Sequence, residues 1–135
     1  MRFMVIVKSN GNCASAGAPD SQFIAAMQQF NRDLHAAGVL LALEGLHPGV
    51  QGSRLQSAAG KWAVSDGPFA ETKEMIGGFW IWQVASQAEA LAWAQRCPIS
   101  SHADTELELR QILDVGEFAA RIAPEFALQA HGIAA

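Results

Sequence analysis

Gly77–Val84 reads GGFWIWQV, and this stretch does most to decide the fold. Its length and its aromatic and β-branched content predict a β-strand. Because successive side chains of a strand point to opposite faces, one face carries Phe79 and Ile81, and the other carries Trp80, Trp82 and Val84. Both faces are apolar, so a sheet that contains this strand needs a cover on each side.

The start of the chain supplies a second two-faced strand and then a helix. Phe3–Lys8 has apolar residues at alternate and at intervening positions. A helix is predicted from Pro19 to Ala37, because proline fits the first helical position and Gly38 is a typical stop. Four apolar residues at i, i+4, i+7 and i+11 predict one buried stripe on this helix: Phe23, Met27, Phe30 and Leu34.

The order of the remaining elements predicts an α+β fold. Val39–Leu43 is a strand, 53–57 and 61–65 form a hairpin, Ser86 and Glu89 open a helix through about Arg96, and Thr105–Ile112 is the last strand. Without the hairpin, the order is βαββαβ, the ferredoxin-like order. We therefore expect a ferredoxin-like core with an inserted β-hairpin and a mostly antiparallel sheet.

The two-faced strands predict a partner. In a ferredoxin-like fold both helices pack on one face of the sheet, and a short tail cannot cover the other. An exposed patch that contains Trp80 and Trp82 would exceed what soluble monomers usually tolerate. We therefore expect a homodimer through the sheet face, with these two indoles on the face that the second copy covers.

Composition excludes several classes of protein. The 135 residues fit one domain, the net charge is −4, and no Lys/Arg cluster offers a nucleic-acid footprint. No apolar run approaches the roughly 20 residues of a membrane helix, and the opening MRFMVIV is too short for a signal-peptide core, so a cytoplasmic location is the default expectation. Nucleotide-binding motifs are absent, the cysteines and histidines lack metal-site spacing, and no metal or cofactor is predicted. We expect Cys97 to be a buried thiol at a helix end.

The segment 65–78, SDGPFAETKEMIGG, is the candidate functional loop. Asp66 either orders the turn at Gly67-Pro68 or presents a carboxylate at the rim of a cleft. Glu71 and Glu74, with Lys73 between them, form either a solvated charge run or a ligand site. Glu44 ends a strand and could face the same cleft, where paired carboxylates can divide acid and base roles.

The same loop carries a family resemblance. DGPFAETKE at Asp66–Glu74, followed by GGF at Gly77–Phe79, resembles the signature of the DGPF group of YCII-related proteins. EGL at Glu44–Leu46 and the ELELR-type last strand support the resemblance over about residues 1–112. It implies a dimeric α+β barrel of two ferredoxin-like protomers, here a domain at 1–113 with an accessory helical tail at 114–135. The tail carries an apolar stripe at Phe118, Ile122 and Phe126.

The resemblance leaves the biochemical function open. YCII-type proteins have a suggested His–Asp pair, but this sequence departs from that pattern. The only histidine of the predicted first helix is His35, near the helix end, and Cys97-Pro98 stands about where the YCII type has Asp-Pro. The dyad therefore cannot be transferred to this chain.

Two hypotheses follow for the function. The first is an enzyme that performs acid–base chemistry on a small organic molecule, with Asp66, Glu71 and Glu74 as catalytic carboxylates. Its substrate contacts would come from Glu44, Phe69, Lys73 and Arg110. The second is a non-catalytic module that binds a metabolite or docks on another protein, such as a transcription regulator.

Overall fold

The computed structural model describes residues 1–9, 20–47, 52–66, 75–101 and 105–122. In chain order the elements are β1 (Arg2–Ser9), α1 (Ser21–Ala36), β2 (Leu40–Gly45), β3 (Ser53–Ala58), β4 (Lys61–Asp66), β5 (Met75–Gln83), α2 (Gln87–Ala94), a 3₁₀ helix (Pro98–Ser101), β6 (Thr105–Gln111) and α3 (Val115–Ile122).

The strands form two antiparallel sheets. The larger sheet has the order β2-β5-β1-β6, and each neighbouring pair is antiparallel. Within the described ranges β3 and β4 pair only with each other, and all twelve of their residues are exposed. Ala59 and Gly60 connect them with φ angles of 52° and 78°, the backbone that a two-residue hairpin turn requires. The predicted α+β class with an antiparallel sheet is confirmed.

The ends of α1 are fixed by its own sequence. Asp20 is the N-cap, and its Oδ1 accepts the Phe23 N–H at 2.7 Å, so the helix begins slightly later than the predicted Pro19. At the other end, Gly38 has a φ of 73°, and its N–H and that of Val39 bond to carbonyls of the last helical turn. The predicted glycine stop is confirmed.

The core lies between α1, α2 and one face of the larger sheet. Its buried side chains are Phe3, Val5, Phe30, Leu34, Val39, Trp80, Trp82, Val84, Ala90 and Cys97. Phe30 of α1 meets both indoles edge-on, with ring centroids 6.0 Å from Trp80 and 6.3 Å from Trp82. Trp80 also donates its indole N–H to Asn31 Oδ1 at 2.9 Å.

The prediction that Trp80 and Trp82 lie on a partner-covered face is therefore wrong. The two indoles are 2% and 0% exposed within the single chain, because the helices cover their face of the sheet. The alternation of side chains along β5 predicts two apolar faces, but it does not predict which face α1 and α2 cover. Phe30 on α1 packs against both indoles on the face that the helices cover.

The opposite side of the larger sheet, called here the second face, carries the alternate side chains. Met4 and Ile6 of β1 pair in register with Ile81 and Phe79 of β5, and all four are half-buried. On β6 the charged residues lie on this face, while Leu107 and Leu109 pack against the core. The second face comprises Arg2, Met4, Ile6, Lys8, Ala42, Glu44, Ile76, Phe79, Ile81, Gln83, Glu106, Glu108 and Arg110.

The other helices follow their capping signals. Ser86 Oγ accepts the Glu89 N–H at 3.1 Å, and Glu89 Oε2 accepts the Ala85 N–H at 2.8 Å, so the predicted capping box forms. α3 begins at Val115, inside the predicted helical tail at 114–135, and Asp114 Oδ1 caps it by accepting the Glu117 N–H. Phe118 on α3 is 48% exposed, whereas Phe126 lies outside the described residues. The helices within the described ranges are all too short or too polar to cross a membrane.

Candidate ligand-binding site

A cavity of about 350 Å³ lies between the first half of α1 and one end of the larger sheet. Its lining comes from all four strands of that sheet, from α1 and from the 3₁₀ helix. The residues that border it are Val7, Phe23, Met27, Leu43, Glu44, Gly45, Gly77, Gly78, Phe79, Trp80, Ile99 and Thr105. The volume lies within the roughly 300–1,000 Å³ range of small-molecule pockets.

The helix side of the cavity is formed by the first half of the α1 stripe. Phe23 and Met27 are half-buried and border the cavity, whereas Phe30 and Leu34 further along the stripe are 4% and 0% exposed. The Asp20 cap places Phe23 in the first turn of the helix. The apolar stripe was predicted from sequence, but its division into a packed half and a cavity-lining half was not.

Glycines form the sheet side of the cavity, where β1 ends and β5 begins. In the β5 register Gly78 stands opposite Val7, on the same face as Trp80 and Trp82. A Cβ at Gly78 would lie 2.7 Å from the Glu44 carbonyl oxygen, so the approach of β2 requires glycine there. Among the described residues, a Cβ at Gly77 would meet no atom closer than 4.0 Å. The close approach at this glycine pair thus involves a neighbouring backbone and only Gly78 of the two residues.

The cavity wall is mostly apolar, and the polar side chains among its bordering residues are those of Thr105 and Glu44. Thr105, the first residue of β6, borders it, and its Oγ1 is buried with no hydrogen-bond partner among the described residues. Sequence reasoning did not single out Thr105, because a threonine at the start of a strand is an ordinary feature. By register, Glu44 pairs with Phe79 on the second face, so both border the cavity chiefly through their backbones.

Two of the predicted carboxylates are described, and they lie on different elements. Asp66 ends β4, is exposed, and accepts the Ser53 hydroxyl at 2.7 Å across the hairpin. Glu44 near the end of β2 is exposed and borders the cavity, whereas Asp66 does not border it. The carboxylate pair considered from the sequence is therefore not assembled around this cavity by Asp66 and Glu44.

Arg110 lies far from Glu44 in the sheet. Arg110 is exposed on β6 and Glu44 is on β2, at opposite edges of the four-stranded sheet, which are about 14 Å apart at the usual strand spacing. Four further predicted residues, Phe69, Glu71, Lys73 and Glu74, lie outside the described residues. Their predicted roles stay predictions.

Cys97 follows α2 and is 4% exposed. Burial raises the pKa of its thiol above the ordinary value of 9.0, and a backbone hydrogen bond with Ile99 acts in the opposite direction. The predicted buried thiol is confirmed. In the described part of the chain no group of three or more His, Cys, Asp or Glu side chains is placed to hold a metal ion.

Comparisons with known proteins identify relatives of this chain. A family model described as the YCII-related domain matches residues 1–115. An uncharacterized protein of Rhizobium meliloti is 30% identical over 114 residues, which cover 83% of this chain and 92% of the relative. A solved structure, a 5-chloro-2-hydroxyhydroquinone dehydrochlorinase from Burkholderia phenoliruptrix in complex with 2,5-dihydroxybenzoquinone, matches with 19% identity and a TM-score of 0.45, covering 84% of this chain and 96% of that one.

Proposed function

This chain belongs to the YCII-related family, and we propose that it binds a small, mainly apolar organic molecule in the cavity between α1 and the sheet. The observation that carries the proposal is the cavity itself, about 350 Å³ in volume and bordered by side chains from six elements. An apolar wall with a few polar groups is the usual composition of a small-molecule site.

The lining indicates the class of ligand. Phe23, Trp80 and Met27 supply two aromatic rings and a flexible thioether, which suit a flat or branched apolar body. Charged side chains are nearly absent from the wall, because Glu44 is the only charged residue at its border among the described residues, and its side chain belongs to the second face. A highly charged ligand would lose its hydration without compensation in such a site.

An acid–base enzyme is the second candidate function, and one sequence feature favours it. Glu74 precedes the cavity-bordering Gly77 by three residues, so the DGPFAETKE loop leads directly into the strand that forms the cavity. In this candidate Asp66, Glu71 and Glu74 are the acid–base carboxylates. Glu44, Phe69 and Lys73 contact the substrate in this candidate, whereas Arg110, the fourth predicted contact, lies at the opposite edge of the sheet from Glu44.

The alternative to catalysis is a module that senses a metabolite or docks on a transcription regulator. Conversion of the bound compound distinguishes the enzyme from the sensor: an enzyme converts its ligand, whereas a sensor releases it unchanged. The cytoplasm is the proposed location in both cases.

A homodimer through the second face is the proposed assembly. The support comes from the half-buried row of Met4, Ile6, Phe79 and Ile81, which lies on the side of the sheet opposite α1 and the core. Two such rows facing each other in a dimeric α+β barrel would bury apolar area on both copies. Residues 1–113 form the proposed domain, and 114–135 the accessory tail.

The cavity is tested by a matched pair of tryptophan substitutions on the edge strand β2. Leu43 borders the cavity and Leu41 does not, yet they are exposed to a similar extent, 43% and 50%. A library of small apolar and aromatic compounds is screened by thermal shift against the wild type, Leu43→Trp and Leu41→Trp. A ligand at 100 times its Kd stabilises the folded state by about 2.7 kcal/mol.

We expect compounds that raise the melting temperature of the wild type and of Leu41→Trp to lose this effect with Leu43→Trp, because the larger ring fills the cavity. Equal stabilisation of all three proteins would place the ligand elsewhere. Each hit is then incubated with the wild type and with Glu71→Gln and Glu74→Gln, and its conversion is followed by mass spectrometry. Conversion that these substitutions abolish supports the enzyme, and recovery of unchanged compound supports the sensor.

A further inference from the structure

Three glycines border the cavity on its sheet side, and contacts within the fold explain one of them. Gly78 is buried, and its Cβ would lie 2.7 Å from the Glu44 carbonyl oxygen. Gly45 and Gly77 are exposed, and neither has the positive φ that favours glycine. In the part of the chain that the structure describes, a Cβ at Gly45 would meet nothing within 4 Å, and one at Gly77 nothing closer than 4.0 Å. Neither backbone conformation nor packing therefore requires glycine at these two positions.

The three glycines, called here the glycine floor, lie side by side at one end of the sheet. Gly45 pairs with Gly78 across β2 and β5. Gly77 is the extra residue of a β-bulge, because the pairing of β5 with β1 shifts there from position 78 to position 76. A Cβ at Gly77 would lie 4.0 Å from Cγ1 of Val7, which borders the cavity. A side chain at position 77 would therefore enter the cavity, and without it the floor is bare peptide backbone.

The glycine floor favours a flat ligand. Phe23 and Met27 of α1 form the opposite side of the cavity, so a ligand lies between these side chains and the backbone of the sheet. Glycine lets a ligand approach a strand backbone closely. A flat ring contacts peptide groups over its whole face, whereas a puckered saturated ring contacts them at a few atoms and loses dispersion attraction at the gaps.

The Thr105 hydroxyl is an independent feature of the same cavity. Thr105 lies on β6, two strands away from Gly78, which is about 10 Å at the usual strand spacing. Its Oγ1 is buried and has no hydrogen-bond partner in the described ranges. A buried hydroxyl without a partner carries a desolvation penalty, which a hydrogen bond to a ligand removes. The polar group of a ligand therefore belongs at the β6 end of the cavity.

We infer that the cavity binds a flat aromatic ring that carries a hydroxyl or a similar hydrogen-bonding group, with the ring on the glycine floor and the polar group at Thr105. This inference rests on the proposed binding function and narrows its ligand from a small apolar molecule to a planar one with a polar substituent. Gly77 then selects the shape of the ligand, and Thr105 selects its polar group.

A pair of probes and a set of variants test the inference. 2-Naphthol is flat, and decahydro-2-naphthol has the same carbon skeleton and hydroxyl but puckered rings. Isothermal titration calorimetry gives the Kd of each probe for the wild type, Gly77→Ala, Thr105→Val and Gly116→Ala. Gly116 lies on α3 and does not border the cavity, so Gly116→Ala is the matched control for an added methyl group. Thermal melting shows that each variant is folded.

We expect the wild type to bind 2-naphthol about tenfold more tightly than decahydro-2-naphthol. Gly77→Ala lifts the ring from the backbone and should raise the Kd of 2-naphthol at least about fivefold, and that of the puckered probe less. Thr105→Val keeps the shape of the side chain without its hydroxyl and should raise the Kd of 2-naphthol about three- to tenfold. Gly116→Ala should leave both Kd values unchanged.

Equal Kd values of the two probes for the wild type overturn the inference. So does a Gly77→Ala or Thr105→Val variant that binds 2-naphthol as tightly as the wild type does. A wild type that does not bind 2-naphthol also overturns it, and the thermal-shift screen then decides the proposed function alone.

Leu43→Trp separates the ligand class from the proposed function. If Leu43→Trp abolishes the binding of both probes and the wild type does not distinguish them, the cavity is the ligand site and the flat-ring inference is wrong. Unchanged binding of 2-naphthol to Leu43→Trp would place the probe outside the cavity and overturn both.

Discussion

The two halves of the α1 stripe meet the same sheet with different results. In the second half Phe30 and Leu34 are 4% and 0% exposed and pack against the core indoles. In the first half Phe23 and Met27 are half-buried and face a cavity. The helix carries apolar residues at regular intervals throughout, so the difference must come from the sheet.

β5 supplies that difference. On the face of β5 toward the helices, two large side chains, Trp82 and Trp80, are followed by Gly78, which has no side chain. A Cβ at position 78 would overlap the Glu44 carbonyl of β2, so glycine is the residue that fits there without a shift of the backbone. The sheet therefore loses bulk along its length while the helix does not, and the remaining volume is the cavity. An amphipathic stripe alone does not distinguish a core from a binding site.

The largest expected effect is at the packed half of the stripe. Leu34→Ala removes a fully buried side chain and should lower the free energy of unfolding by about 3–5 kcal/mol. Met27→Ala removes a half-buried side chain next to an existing cavity, and should cost less than half as much. Urea denaturation of the two variants checks the difference. Equal losses would show that the first half of the stripe is as tightly packed as the second.

The glycine pair provides the second comparison. Gly78→Ala should cost about 1–3 kcal/mol, because its Cβ would overlap the Glu44 carbonyl oxygen. Gly77→Ala has room for its Cβ and should change the free energy of unfolding by less than about 0.5 kcal/mol. Thermal and chemical denaturation measure both. A larger loss at Gly77 than at Gly78 would contradict the explanation of how the cavity forms.

Trp80 packs against Phe30 in the packed half of the stripe and also borders the cavity, and its indole N–H donates to Asn31. Asn31→Ala leaves the buried indole N–H without its acceptor and should cost about 1–2 kcal/mol. Gln29→Ala on the exposed side of α1 is the control and should cost clearly less, although it removes the acceptor of Arg32 and the donor to Asp33. If both variants lose the same stability, the indole hydrogen bond contributes little.

The smallest effect concerns pH. The folded state raises the pKa of the Cys97 thiol above 9.0, so folding favours the protonated form. This contribution is complete below the pKa of the unfolded chain and is lost as pH rises through the folded pKa. Between pH 8 and 10.5 the free energy of unfolding should therefore decline more steeply for the wild type than for Cys97→Ala. Parallel pH profiles of the two proteins would exclude this contribution.

Sequence was most informative where the deciding interactions are local. The Gly38 stop and the Ser86 capping box depend on residues a few positions apart, and both formed as predicted. The choice of the helix-covered face was wrong for Trp80 and Trp82, because it depends on contacts with Phe30 some fifty residues away in the chain. The cavity depends on the approach of β2 to Gly78, a long-range contact that no local pattern encodes.

The choice of candidate site residues from the sequence was limited in the same way, because a local pattern does not show which residues meet at a cavity. Glu44 was named from its place at the end of a strand, and it does border the cavity. Thr105 borders the cavity with a buried hydroxyl that has no partner among the described residues, and it carried no sequence signal. Charged residues attract attention in a sequence, whereas an apolar cavity is formed by residues that look like core.

The most direct test of the cavity as a ligand site is methyl NMR of protein labelled with ¹³C at the methionine methyl groups. Met27 borders the cavity, whereas Met4 lies on the second face and Met1 is 50% exposed. Met27→Leu identifies the Met27 resonance. On titration with a compound that raises the melting temperature, we predict a saturable shift of the Met27 methyl that is larger than the shifts of Met1 and Met4. A compound that stabilises the protein while the Met27 resonance stays unchanged would contradict the assignment of this cavity as the ligand site.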